Sequence, residues 1–166
     1  WIADVKRQSN WGLHFGSVGQ TPRFFVYADA AFANAEEHRS QCGYVCLVGE
    51  GEKRNVLAWQ SRASRRVYRS TLAAEVLAQQ DGIDHAIFLR STWSQLLGFT
   101  PKVTALTDCK SLYDNISSSH VVSEKRLAID VAVLREQLRD GVVDRLEWVT
   151  TDQQVADGLT KDAMVP

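Results

Sequence analysis

Four carboxylates stand where a soluble domain has little ordinary use for them: Asp29, Glu75, Asp108 and Asp157. Asp29 lies inside the run "FFVYADAAF" (24–32), whose aromatic, β-branched and small residues specify a strand. A lone ionised carboxylate in such a strand is costly unless a hydrogen bond, a basic partner or a metal compensates for its lost water. The four acids are separated by 46, 33 and 49 residues, so no local motif joins them and only a fold can. If a fold does, they repel, and some take up protons unless a cation neutralises them. Oxygen-only ligands favour Mg²⁺ or Mn²⁺ over Zn²⁺. Two such ions about 4 Å apart can activate a water and stabilise a leaving oxygen in phosphodiester cleavage. Each acid also has a plainer explanation. Asp29 needs only an Arg partner, Glu75 only a helix N-terminus, and Asp108 only a capping role, while Asp157 could sit at the surface.

The elements that would position these acids follow from pattern. After the strand at 24–32, "CGYVCLV" (42–48) and "NVLAWQS" (55–61) read as two more, with "GEGEK" as a hairpin turn. A long helix runs from Thr71 to Leu97, with Ser70 or Thr71 as N-cap and Gly98 past its end. Its apolar stripe includes Leu72, Val76, Ile83, Ala86 and Ile87. At 100° per residue Glu75 falls at the edge of that stripe and leans toward the sheet. "KVTALTD" (102–108) is a strand ending at Asp108, followed by the short helix "CKSLYDNI". A helix over 123–141 repeats Leu127, Val131, Leu134 and Leu138 before Gly141, "RLEWVT" (145–150) is a strand, and 152–163 reads as a final helix carrying Asp157. The order β-β-β-α-β-α-α-β-α implies an α/β fold. Its mixed sheet has three antiparallel strands followed by two parallel ones joined through right-handed crossovers.

Composition bounds the rest. The 166 residues, 45% hydrophobic, suit one domain with a real core. No apolar run spans a membrane, and no secretory leader is visible. The chain starts at Trp1, which suggests a piece of something longer. Cys42, Cys46 and Cys109 lack paired spacing and read as reduced residues of an intracellular protein. The formal net charge is −1, yet residues 53–69 carry six basic residues and no acidic one, leaving −7 on the remainder. A basic stripe on an acidic body is either a phosphate footprint, with Arg62, Arg65, Arg66 and Arg69 as candidates, or a solvated turn.

The motifs "YADAAF", "RSQCGYVCLV", "LAWQSR", "STLAAE", "LTDCKSL", "IDVAVLREQL" and "QVADGLTK" occur in that order from Tyr27 to Lys161. In them the chain resembles the ribonuclease H domain of copia-type retrotransposon polyproteins. "NWGLHF" (10–15) looks like the tail of the segment that joins reverse transcriptase to that domain, which divides the chain into a tail at 1–22 and a domain at 23–166. The resemblance implies a five-stranded mixed sheet flanked by helices. It also implies cleavage of the RNA strand of an RNA–DNA hybrid with two Mg²⁺, for which Mn²⁺ can substitute. By the same carry-over Asp29 bridges both ions, Asp157 helps hold the water-activating one, and Glu75 and Asp108 hold the one at the leaving oxygen. The implied partners are the hybrid and the reverse transcriptase part of the same polyprotein. The implied location is intracellular, in cytoplasm, virus-like particle or nucleus.

The chain departs from that pattern at several positions. Asp29-Ala30-Ala31-Phe32 stands where the family often has Asp-Ala-Asp-Trp, and Ala73-Ala74-Glu75 keeps only the last acid of Glu-Ala-Glu. Leu127-Ala128 replaces a common Lys-His, so no substrate contact is carried over there. The "VTTDQQ" loop lacks the His of many cellular ribonucleases H, so water handling or product release is done otherwise or turnover is slow. The alternative from another class is a non-catalytic module of the same fold that binds nucleic acid or protein. Loss of an acid would favour it, and all four are present.

Overall fold

The computed structural model describes residues 12–34, 38–65, 67–118, 122 and 125–161. Five strands form one sheet: β1 (Arg23–Ala31), β2 (Gln41–Glu50), β3 (Lys53–Ala63), β4 (Val103–Thr107) and β5 (Arg145–Trp148). Their order across the sheet is β3-β2-β1-β4-β5. β1 pairs antiparallel with β2 and β2 with β3, while β1/β4 and β4/β5 are parallel. Among the described residues three helices complete the fold: α1 (Thr71–Leu97), α2 (Lys110–Ser117) and α3 (Lys125–Arg139). This is the mixed architecture that the element order implies, with the strand bearing Asp29 at its centre.

Alternation along β1 decides which side chains meet which layer. Phe24, Val26, Ala28 and Ala30 share a core cluster with Tyr44, Cys46 and Val48 of β2 and Ala74, Ala78 and Ala86 of α1. Phe25 and Tyr27 belong to a second cluster with Val45, Leu47, Leu106 and Ala156, and Leu159 packs against it. A third cluster joins α1, α2 and α3 through Val76, Ile83, Leu112, Leu127, Val131 and Leu134.

Small residues on α1 bring the helix close to the sheet. At Gly82 a β-carbon would stand 2.9 Å from Val26 Cγ1 and 3.1 Å from Tyr44 Cβ. The helix starts at Ser70, whose side chain accepts from the Ala73 N–H at 3.2 Å. It ends at Gly98, whose φ of 73° is the left-handed conformation that suits glycine.

The final helix expected over 152–163 is not formed. Two 3₁₀ turns, Thr151–Gln153 and Asp157–Leu159, take its place, and residues 162–166 lie outside the described residues. The cause is competition from tertiary partners. Gln154 Nε2 donates to the Ala28 carbonyl at 3.0 Å, the Ala156 N–H donates to Gln154 Oε1 at 3.3 Å, and Thr160 reaches Asp29. A short segment with Asp, Gly and Thr has too little intrinsic helicity to resist them. Of the tail at 1–22, residues 1–11 lie outside the described residues, and 12–22 form no helix or strand.

Gly82→Val places branched carbons into the α1–β1–β2 contact, and overpacking of this kind costs about 1–3 kcal/mol. Urea denaturation of the variant is expected to show an unfolding free energy lower by that margin, with a correspondingly lower midpoint. Unchanged stability would mean that α1 is not seated this closely.

Candidate active site

Three of the four acids come from separate elements around the centre of the sheet, and the fourth from the C-terminal 3₁₀ turn. Asp29 is near the end of β1, opposite Gly43 of β2, and is 8% exposed. Glu75 is on α1, past its first turn, and is 7% exposed. Asp108 follows β4 directly, and Asp157 opens the second 3₁₀ turn with its side chain 26% exposed.

Asp29 has no Arg partner among its described hydrogen bonds and ion pairs; its carboxylate accepts from the Thr160 hydroxyl. Asp108 is not the cap of α2, since the N-cap position is Cys109. Glu75 lies beyond the first turn of α1 and is buried, so a favourable charge at a solvated helix end does not describe it. Asp157 is half-buried and held by the Lys161 ammonium at 2.5 Å.

Electrostatics tie the four together. Burial raises the Asp29 carboxyl above its ordinary range; the Thr160 hydroxyl opposes this, the charges of Asp108 and Asp157 reinforce it, and the Ala30 N–H opposes it weakly. Glu75 is pushed up to about 9, first by burial and then by the charges of Asp29 and Asp108. One of its oxygens, Oε2, is buried with no hydrogen-bond partner. An orphaned oxygen of this kind is rare in native proteins and calls for a specific reason. Three of the acids are turned onto the chain's own donors: Asp29 onto Thr160, Asp157 onto Lys161, and Asp108 Oδ1 onto Gln154 Nε2 at a weak 3.4 Å. No group of three or more acidic, His or Cys side chains among the described residues is close enough to hold an ion.

The donor set nevertheless suits a hard divalent cation. It is all oxygen, it is partly desolvated, and the unpaired Glu75 oxygen together with the raised Asp29 and Glu75 carboxyls is what a nearby positive charge would relieve.

The basic candidates diverge. Arg62 is paired with Asp81 at 2.5 Å. Arg65 lies with Cys42, Arg62 and Tyr68 around a cleft of about 260 Å³, and Arg65 and Arg69 are both exposed. Arg66 lies outside the described residues. Cys42 and Cys46 are buried free thiols pushed up to about 11 and about 12 by burial, and so unreactive.

Sequence reasoning passed over Gln154, Thr160, Lys161 and Gly43. Thr160 and Lys161 stand in the quoted "QVADGLTK", but nothing local says that a threonine three residues after Asp157 reaches back to Asp29.

No protein-family model and no curated protein matches the chain. Solved structures do. The N-terminal RNase H domain of a Mycobacterium tuberculosis protein is 24% identical, with a TM-score of 0.57 over 86% of this chain and 93% of that one. An RNase H1 isolated from compost by a metagenomic approach is 16% identical, with a TM-score of 0.60 over 82% of this chain and 91% of that one. The foamy viral protease-reverse transcriptase, in complex with an RNA/DNA hybrid, is 12% identical, with a TM-score of 0.57 over 90% of this chain and 21% of that longer one. The fold is therefore ribonuclease H-like. In fold the chain is similar to an RNase H1 and to part of a foamy viral protease-reverse transcriptase.

The buried acids fix how stability depends on pH without metal. The folded state holds the Glu75 proton up to about pH 9, whereas the unfolded chain releases it near 4.5. That stability is fully present below pH 4.5 and is lost as pH rises through about 9. The slope between these limits is at most about 1.4 kcal/mol per pH unit. Melting temperatures in a chelator should therefore fall across this window, and Glu75→Gln should flatten the fall. A flat wild-type profile would contradict the burial of the Glu75 charge.

Proposed function

We propose that the domain hydrolyses the RNA strand of RNA–DNA hybrids, as the ribonuclease H domain of a copia-type retrotransposon polyprotein during reverse transcription. The observation that carries this reading is the buried, unpaired oxygen of Glu75 beside Asp29 and Asp108 on a ribonuclease H-like sheet. Asp29, Glu75, Asp108 and Asp157 are the proposed ligands of two Mg²⁺ ions, with Mn²⁺ as a substitute. When bound, the ions would supply an activated water and neutralise charge at the leaving oxygen, giving 5′-phosphate and 3′-hydroxyl ends.

The chain's own contribution is placement. β1 and β4 fix Asp29 and Asp108 at neighbouring positions of the sheet, and α1 carries Glu75 to them from one side. Asp29 would bridge the two ions, Asp157 would face the attacking water, and Glu75 and Asp108 the leaving oxygen. Arg65 and Arg69, exposed ahead of α1, are suited to contact hybrid phosphates, which orient a duplex without reading its sequence. Arg66 joins them on the strength of its sequence position. Arg62 would have to leave Asp81 to take part.

Proposed partners are the hybrid and the reverse transcriptase part of the same polyprotein, reached through residues 1–22, within the cell. No helix among the described residues is long and apolar enough to cross a membrane.

One observation favours a second reading, a non-catalytic hybrid-binding module: Asp157 is already paired with Lys161, and no three acids stand at coordinating distance. The two readings part on a single assay. Labelled RNA–DNA hybrid, double-stranded RNA and double-stranded DNA are incubated with the protein in Mg²⁺. The catalytic reading expects cleavage of the hybrid's RNA strand alone, and loss of that activity in Asp29→Asn beyond the roughly 10–100-fold typical of groups that merely orient metal ligands. Hybrid binding should persist in the variant, because the basic segment is untouched. Wild-type-like turnover by Asp29→Asn would remove Asp29 from the site, and binding without cleavage by the wild type would favour the module.

A further inference from the structure

We propose that Thr160 is a positioning residue that latches the C-terminal turn to Asp29, so that one contact sets both the orientation of the Asp29 carboxylate and the place of Asp157. The proposal deepens the metal-dependent reading above and rests on it.

The latch is built from both sides. Thr160 is 2% exposed, and its hydroxyl donates to Asp29 Oδ2. The same hydroxyl lies 3.1 Å from the Asp157 carbonyl, and the Thr160 N–H donates to that carbonyl at 3.3 Å, which closes the turn bearing Asp157. The turn is docked by its backbone. Asn34 Nδ2 donates to the Thr160 carbonyl at 3.2 Å, and Ser61 Oγ donates to the Leu159 carbonyl. Asn34 follows β1 and Ser61 is on β3, so the turn is fastened across the sheet.

The socket beneath the turn is Gly43, which faces Asp29 in the β1–β2 register. A β-carbon there would stand 2.8 Å from Leu159 Cβ, 3.2 Å from Thr160 Cγ2 and 3.4 Å from the Gln60 carbonyl. The first contact is closer than real β-carbons approach, so any side chain at position 43 lifts the turn. Gly43 and Thr160 are thus two halves of one contact, 117 residues apart in sequence.

A threonine buried this deeply has a plain alternative as a core filler. The two roles depend on different atoms. A filler needs the shape, which valine keeps; a latch needs the hydroxyl, which serine keeps. Asp29 enters the argument through that hydrogen bond, because a carboxylate oxygen held by a fixed donor is confined to one rotamer. Freed of the donor, it can turn away from Asp108 and Asp157.

The test uses the metal alone as probe. Mg²⁺ is titrated into the metal-free 166-residue protein and followed by the backbone amide resonances of Ala30 and Gly158, with melting curves to establish folding. Thr160→Val is expected to weaken Mg²⁺ binding about 10-fold, the low end for groups that orient metal ligands, and Thr160→Ser to stay close to wild type. Gly43→Ala, which leaves the hydroxyl in place but lifts the turn, should weaken binding in the same direction. Asp29→Asn provides the reference without the bridging charge. If Thr160→Val does not fold, Gly43→Ala and Thr160→Ser carry the test. Wild-type Mg²⁺ affinity in folded Thr160→Val or Gly43→Ala overturns the latch, as does a Thr160→Ser protein as weak as the valine variant. In those cases Asp29-dependent binding by the wild type leaves the metal reading standing. If the wild type takes up no Mg²⁺ that depends on Asp29, the metal reading falls and the latch falls with it.

Discussion

Everything at the centre of this domain is arranged around two carboxyl groups withdrawn from water without full compensation. Asp29 and Glu75 are each under a tenth exposed, both are pushed toward the neutral form, and Glu75 keeps an oxygen with no partner. A domain under selection for stability alone would replace them, since apolar residues of similar volume serve a core better than poorly paired charge. The small residues of α1, the glycine at position 43 and the irregular C-terminal turn all make sense as the means of holding those acids together. Ala74, Ala78 and Gly82 bring α1 close enough for Glu75 to feel Asp29. Gly43 lets the turn with Asp157 settle on the face of the sheet that Asp29 shares with Phe25 and Tyr27. Sites of function are where proteins tolerate such local conflict, and they are stabilised elsewhere to allow it. Here the compensation is a hydrophobic cluster on each face of β1.

The scaffold was largely legible in the chain because its signals are local. A run of aromatic, β-branched and small residues identified β1, helical spacing with Ser70 and Gly98 bounded α1, and the proximity of Glu75 to the apolar stripe foretold its burial. The third helix announced itself through Leu127, Val131 and Leu134, which are buried in the structure. The mixed sheet followed from an opening three-strand meander and later strands separated by helices; the order of the strands across it comes from the structure. The acids themselves were legible as anomalies, each one a charge that its surroundings did not explain.

What stayed hidden was whatever depends on two distant segments at once. The C-terminal segment has enough apolar and polar alternation to read as a helix, and only its contacts with Ala28, Asp29 and Gly43 break it into turns. Gln154 and Thr160 look like ordinary polar positions of that helix until β1 is beside them. Arg62 looked like a free cation within a basic run, yet Asp81, six residues along α1 from Glu75, already pairs with it. The same limit applies to chemistry: four acids can be picked out of a sequence, but whether they share one electric field is decided by packing.

The most direct measurement of the central claim is a crystal of this domain soaked in Mn²⁺ and recorded for anomalous scattering. The account predicts Mn²⁺ bound among Asp29, Glu75, Asp108 and Asp157, with the Glu75 oxygen ligated and the Lys161 ammonium released from Asp157. Anomalous peaks elsewhere only, with Lys161 still paired to Asp157 and Glu75 Oε2 still without a partner, would contradict it.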